Sequence, residues 1–321
     1  MPEYSKPYLS PNDLVNNHLP AKGINYTKTF DQQKAEELLS KINWYRFKSY
    51  LHPFLQSNSK LYISGTTFEQ GVDLYYFDCE LRELCNKYIL RIEVKVRTII
   101  DQTITAFTKD PFWYLNDDLF SNPDDLYSER KKIINSLKYS KLEFAEYYKL
   151  NYTSPKEAWR SAPPFWLASE LISFDTLNKF IQQLNSQKFM RNGNNELGFA
   201  ANKLNAISFK ELKSWLSALK ELRNKASHSA RTWNSNYRIP SGFVNNDNKL
   251  LTNSYIKLPP SKKNRIYTIL VTLKLITNKL IHPKNDFSTD LMALIKQYNH
   301  LNYLEDGMGF PANWQSDPVW N

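Results

Sequence analysis

The chain has 321 residues, enough to bury a substantial core as one large domain or two small ones. Forty-two Lys and Arg against 32 Asp and Glu give a formal charge of +10, which favours a polyanionic partner such as nucleic acid. Only 8 glycines and few alternating apolar runs argue against an all-β fold, which needs more turn chemistry, and for helices.

The N-terminus, MPEYSKPYLSPNDL, has no apolar core of a signal segment. Ser10 before Pro11 reads as a helix start, and Asp31 to Leu51 sets Ala35, Leu38, Leu39, Ile42, Phe47 and Tyr50 at helical spacing, so an N-terminal helical pair is expected. SNSKLYISGTT, 57–67, reads as a loop. Residues 1–65 are therefore taken as an accessory segment and 66–321 as the main helical domain. Val72, Tyr75, Cys79, Ile92, Val96, Ile99 and Phe107 mark one long helix from Phe68 to Phe107, or two broken near Gly71 or Cys79. Shorter helices and a Lys-rich loop follow over 108–155, and Pro163-Pro164 interrupts the chain. Ser208 and Glu211 form an S-x-x-E capping box, opening a helix over 208–231 whose apolar stripe is Phe209, Leu212, Trp215, Leu219, Leu222 and Ala226. A loop or small hairpin is expected at 236–259, then helices near 261–281 and 288–301.

Cys79 and Cys85 make no CxxC pair, so neither a disulfide framework nor a zinc ribbon is indicated and a reducing compartment fits. The apolar run YTILVTLKLI, 267–276, contains Lys274 and is too short for a bilayer. A soluble, cytoplasmic chain with no membrane partner is expected. His18, His52, His282 and His300 have no Cys, His or acidic neighbour at zinc spacing, so no metal site and no cofactor is expected.

On a helix over 208–231, Asn224, His228 and Arg231 fall within roughly 60° of one another opposite the apolar stripe, with Arg223 at the border. A histidine can serve as general acid or base toward a ribose 2′-hydroxyl or a 5′-oxygen, and a guanidinium can grip the phosphate. Because RNA supplies its own nucleophile, such a pair needs no metal. Arg223, Asn224 and His228 are the catalytic candidates. With 11 arginines and 5 histidines, R-x4-H arises by chance in roughly one chain in six, so the spacing by itself decides little. Arg231 is evenly balanced between a phosphate contact and a structural arginine. Glu93 and Arg97, at i and i+4, fit a helix-surface ion pair better than an active-site role and are secondary candidates. Lys131, Lys132, Lys262, Lys263 and Arg265 read first as solvated faces, and as phosphate contacts if RNA binds. Trp113, Trp159, Trp166 and Trp215 read as core.

ELRNKASHSARTWN, 221–234, resembles the R-N-x-x-A-H-H-S-R-L-W-N signature of the Abi-like abortive-infection family, a branch of the HEPN ribonuclease superfamily. Arg223, Asn224, His228, Arg231, Trp233 and Asn234 match it, while Ser227-His228-Ser229 stands where the family often has Ala-His-His. RIEVKVR, PPFWLASELISFDTLNKF and GMGFPANWQSDPVW agree as well, so the resemblance spans almost the whole chain. It implies an all-α, HEPN-like helical bundle that forms a homodimer, so that two R-x4-H motifs make one composite site. It further implies an RNA substrate and a growth-arresting role during phage infection; whether a noncoding RNA or a protein serves as antitoxin is left open by the sequence. The reading is a metal-independent endoribonuclease leaving a 2′,3′-cyclic phosphate and a 5′-hydroxyl; the alternative is a module that holds a structured RNA or a partner protein without cutting. A DNA-binding regulator is less supported, since the N-terminal pair shows no recognition helix.

Overall fold

The computed structural model describes residues 3–5, 7–154, 156, 161–243, 258–280, 286–301 and 303–320. The fold is all-α, with one two-stranded hairpin among the described residues. The chain divides into two compact units: Met1–Leu81 with Ala293–Leu304, and Arg82–Met292 with Glu305–Asn321.

In the first unit Ser10 and Asp13 form a complete capping box around the turn Pro11–Asp13. The segment expected as one helix over 31–51 is two: α1 (Gln32–Lys41) ends at Ile42, which is extended, and Asn43 accepts from the Tyr45 N–H at 2.8 Å to open α2 (Trp44–Leu51). Leu14, Leu19, Ala35, Leu39, Phe47 and Phe68 share one core, with the Phe47 and Phe68 rings stacked at 4.7 Å. The next helix, α3 (Phe68–Thr108), runs unbroken for 41 residues, about 60 Å at 1.5 Å per residue. Gly71 does not interrupt it and is closely packed: a Cβ would lie 2.5 Å from Leu51 Cδ2 of α2, so that side chain would have to shift.

The second unit continues with α4 (Tyr127–Tyr139), α5 (Glu143–Tyr152), α6 (Phe165–Leu171) and α7 (Phe174–Gln183). β1 (Met190–Arg191) and β2 (Asn194–Asn195) then pair antiparallel across Asn192-Gly193, both with positive φ, as an Asn-Gly hairpin demands. The hairpin thus sits at 190–195. Of the segment where one was expected, residues 236–243 run as a loop and 244–257 lie outside the described residues, as do Trp159 and His282. α8 (Glu196–Asn202), α9 (Phe209–Ser227), α10 (Ile266–Thr277), α11 (Phe287–Gln297) and α12 (Leu304–Met308) complete the order.

Every residue of α10 is buried, the mark of a helix enclosed on all sides, and its Thr272 and Thr277 hydroxyls donate back to main-chain carbonyls at 2.9 Å. Among the described residues no helix is long and apolar enough to cross a membrane, and no cluster of His, Cys, Asp and Glu could hold a metal ion. Trp113 and Trp215 are fully buried, whereas Trp166, expected in the core, is half exposed.

α9 packs on α7, α8 and α10. Lys213 fixes its register on α7 by donating to the carbonyls of Gln182 and Leu184, both at 2.8 Å, where the helix end leaves them without partners. Burial pulls that amine down to about 8. A second tie joins α7 to α4: the buried Glu129 carboxylate accepts from Thr176 (2.9 Å), Lys179 and Lys132 (both 2.8 Å). Burial pushes this carboxyl up, but the three hydrogen bonds outweigh it and hold it below the ordinary value. A depressed carboxyl stabilises the fold above its unfolded pKa, and the gain disappears as pH falls through the folded value. Glu129→Gln should therefore cost about 2 kcal/mol at neutral pH, measured by urea unfolding, and the gap to wild type should close on acidification below pH ~4.

Candidate active site

Helix α9 brings the motif into place. Ser208 accepts from the Glu211 N–H at 3.1 Å, and the Glu211 carboxylate reaches back to the Ile207 N–H at 2.7 Å, one residue beyond the partner a reciprocal capping box would use. Phe209, Leu212, Trp215, Leu216, Leu219 and Leu222 are buried, leaving Arg223 and Asn224 half-buried at the edge of that stripe. The helix then stops at Ser227, short of the expected 231. The Ser229 N–H donates to Ala226 O at 3.1 Å and the Ala230 N–H to Lys225 O at 2.8 Å, the two bonds of a Schellman turn. Ser229 takes the left-handed position at φ 51°, where glycine is usual and where polar residues such as Asn, Asp and His are enriched.

His228 is the C-cap, its N–H still bonded to Asn224 O at 3.0 Å and its side chain exposed. Arg231 is off the helix, half-buried in the loop beyond, so the shared helical face expected for Asn224, His228 and Arg231 does not form. The turn redirects the chain between His228 and Arg231.

Glu93 and Arg97 of α3 are the pair the sequence placed on a helix surface. They do pair, but Glu93 is buried at 6% exposure and Arg97 is nearly so, its Nη2 also donating to Ile172 O at 2.8 Å just past α6. Burial pushes the Glu93 carboxyl above its ordinary value against the opposing pull of Arg97 and then of Arg223, which lies near enough for its charge to act. Arg223 thus joins two residues 126 and 130 positions earlier. Three buried atoms of this group, Glu93 Oε2, Arg97 Nε and Arg223 Nε, have no hydrogen-bond partner among the described residues. Orphaned polar atoms are rare in folded proteins, and here they are two guanidinium donors and one carboxylate acceptor.

The segment after the motif holds this end of α9 in place. Trp233 is buried flat against Gly307 of α12, so closely that a Cβ on Gly307 would lie 2.3 Å from Trp233 Cζ2. Asn234 Oδ1 accepts from Arg265 at 2.8 Å, and Arg265 packs on Gly309, whose φ of 82° also calls for glycine. Lys225 covers the Tyr237 ring at 3.7 Å and donates to Asn236 O at 2.9 Å. The chain then returns along α9, where Trp215 Nε1 donates to Ser241 O at 2.9 Å.

A model of the Abi-like protein family matches residues 37–234. The chain belongs to that family. The match runs from α1 to Asn234 and so contains Glu93, Arg97 and the whole 223–234 motif, and it points to abortive-infection phage defence. No curated protein and no solved structure matches the chain.

The remaining phosphate-contact candidates of this Abi-like protein are dispersed. Lys131 and Lys132 are exposed on α4, with Lys132 bonded to Glu129; Lys262 pairs with Asp306 at 2.7 Å; Lys263 is half-buried; Arg265 serves Asn234. Sequence spacing does not reveal the convergence of Glu93 and Arg97 on Arg223, the Schellman turn or the Trp233 contact. The only local hints are the departure from Ala-His-His at Ser229 and the glycine pair in GMGF.

Two substitutions test this geometry. Gly307→Ala should destabilise the fold by about 1–3 kcal/mol through overpacking against Trp233, read as a lower urea midpoint at unchanged slope. Arg97→Ala should cost about 3 kcal/mol at neutral pH because it strips a buried carboxylate of its nearest cation. That cost should shrink as pH falls through the raised Glu93 value, where the carboxyl takes up a proton and needs no counter-charge.

Proposed function

We propose that this protein is a metal-independent endoribonuclease of the HEPN type that acts as a toxin in phage defence. The observation that carries the reading is the exposed His228 imidazole one turn beyond Arg223, whose buried Nε lacks a partner beside Glu93 and Arg97. Arg223 would hold a phosphate oxygen and counter the charge of the pentacoordinate transition state. The ribose 2′-oxygen would attack the adjacent phosphorus as the P–O5′ bond breaks, giving a 2′,3′-cyclic phosphate and a 5′-hydroxyl. One base must take the 2′-hydroxyl proton and one acid must give a proton to the 5′-oxygen. His228 supplies one of these groups, and a second copy of the chain in a homodimer would supply the other. Asn224, whose carbonyl holds the His228 N–H, would orient the imidazole or the phosphate. A noncoding RNA or a protein antitoxin would hold the site inactive before infection.

Cleavage of end-labelled RNA in excess EDTA, with analysis of the product termini, tests this. Cyclic-phosphate ends are expected from wild type, with rates about 10²–10⁴-fold lower for His228→Ala and about 10²–10³-fold lower for Arg223→Ala. RNA bound tightly but left intact by wild type would replace the enzyme with a non-cleaving RNA-holding module.

A further inference from the structure

The first unit contains a concave feature lined by residues outside the motif. Its wall is formed by N-terminal residues including Tyr4, Tyr8 and Leu14, the turn after Pro20, the α1–α2 junction and the 55–62 loop, which is tied to that turn by the bond from the Tyr62 N–H to Lys22 O at 2.9 Å. The groove encloses about 1190 Å³, beyond the ~300–1,000 Å³ common for small-molecule sites, so it suits an extended ligand.

Its chemistry is one-sided. Lys22, Lys41, Lys48 and Lys60 line it, and no Asp or Glu is among the described lining residues. Lys41 is paired with Glu37 outside the lining, and none of the other three forms an ion pair among the described residues. The Lys22 amine is pulled down by burial and then by the charges of Lys60 and Lys48, so the cations repel one another across the groove. His18 is lowered in the same way by burial and by Lys22. Folding has gathered like charges that oppose one another, a state that an anionic ligand would relieve.

Aromatic rings are interleaved with these cations. Trp44 stands edge-on to His18 at 6.5 Å, and Tyr45 is exposed with the Lys48 ammonium 4.3 Å from its ring centre. An acidic peptide would use the cations and leave the rings idle. A phosphodiester chain with unpaired bases uses both, phosphates on the ammonium groups and bases on the ring faces.

We propose that this groove holds an unpaired segment of RNA, with Lys22, Lys48 and Lys60 on its phosphates and Trp44 and Tyr45 against its bases. The choice of RNA rests on the ribonuclease reading above. The groove extends that reading by giving the chain a sequence-tolerant place to grip substrate or regulatory RNA apart from the residues that would cut it.

The test measures binding of a fluorescein-labelled single-stranded RNA to the full chain by anisotropy, in the His228→Ala background and over a salt series. Adding Lys22→Ala, Lys48→Ala and Lys60→Ala should weaken binding at least tenfold and lower the log–log salt slope by about two, near 0.7 per phosphate contact. Tyr45→Ala should weaken binding about tenfold, in line with one lost stacking contact. The triple variant should melt no lower than its parent, since it removes repulsion, and Lys60→Glu alone, at an exposed position, should weaken binding in the same direction. Unchanged affinity and slope in the triple variant would overturn the proposal, as would equal competition by poly-glutamate. Cleavage by wild type with unaltered binding in the triple variant would sink the groove and leave the ribonuclease reading standing. RNA held by the three lysines with no cleavage by wild type would do the reverse.

Discussion

A carboxylate taken out of water has to be surrounded by cations or protonated, and Glu93 is such a group in the middle of a 41-residue helix. Arg97 sits one turn along the same helix, and Arg223 comes from α9. Arg97 in turn donates to the carbonyl of Ile172, so the chain leaving α6 is held to the same spot. One buried charge therefore constrains three segments far apart in sequence. The arrangement is costly, because three of its polar atoms remain without partners. Cores built only for stability seldom keep such groups.

His228 owes its position to main-chain geometry. The Schellman turn ends α9 at Ser227 and leaves the imidazole at the helix end, exposed, while Arg223 one turn earlier remains partly enclosed. A helix extended through 231 would have spread the polar groups along one solvated face. Ending it early leaves an exposed imidazole one turn from a partly enclosed guanidinium. Trp233 on Gly307 and Asn234 on Arg265 then anchor the chain beyond the turn, which explains why the motif continues past the histidine to residues that need never touch a substrate.

The two units use charge differently. In the second, two arginines lie close to one buried carboxylate, Arg97 paired with it and Arg223 near enough for its charge to act. In the first, lysines on turns and on α2 repel one another around a broad groove with exposed rings, an arrangement suited to a flexible chain of varied sequence. The net charge of +10 does not distinguish these roles, and neither does the local density of lysine.

The sequence by itself determined the helical class, the start of α9 at Ser208, the apolar stripe through Leu212, Trp215 and Leu219, and the motif at Arg223, Asn224 and His228. The first three follow from short-range rules, helical periodicity and capping, that act within a turn or two of chain, and the motif was legible through its resemblance to the Abi-like signature. The break at Ile42-Asn43 was in principle local too, but the apolar spacing runs straight across it and hides the cap. Only the tertiary structure decided that Glu93 and Arg97 are interior, since an i,i+4 ion pair looks the same in sequence on a solvated face as on a buried one. It also showed where α9 ends, at the Schellman turn with Ser229 in the left-handed region, beyond which Trp233 is seated on Gly307. Long-range packing sets those outcomes, and packing leaves no period in the sequence to read.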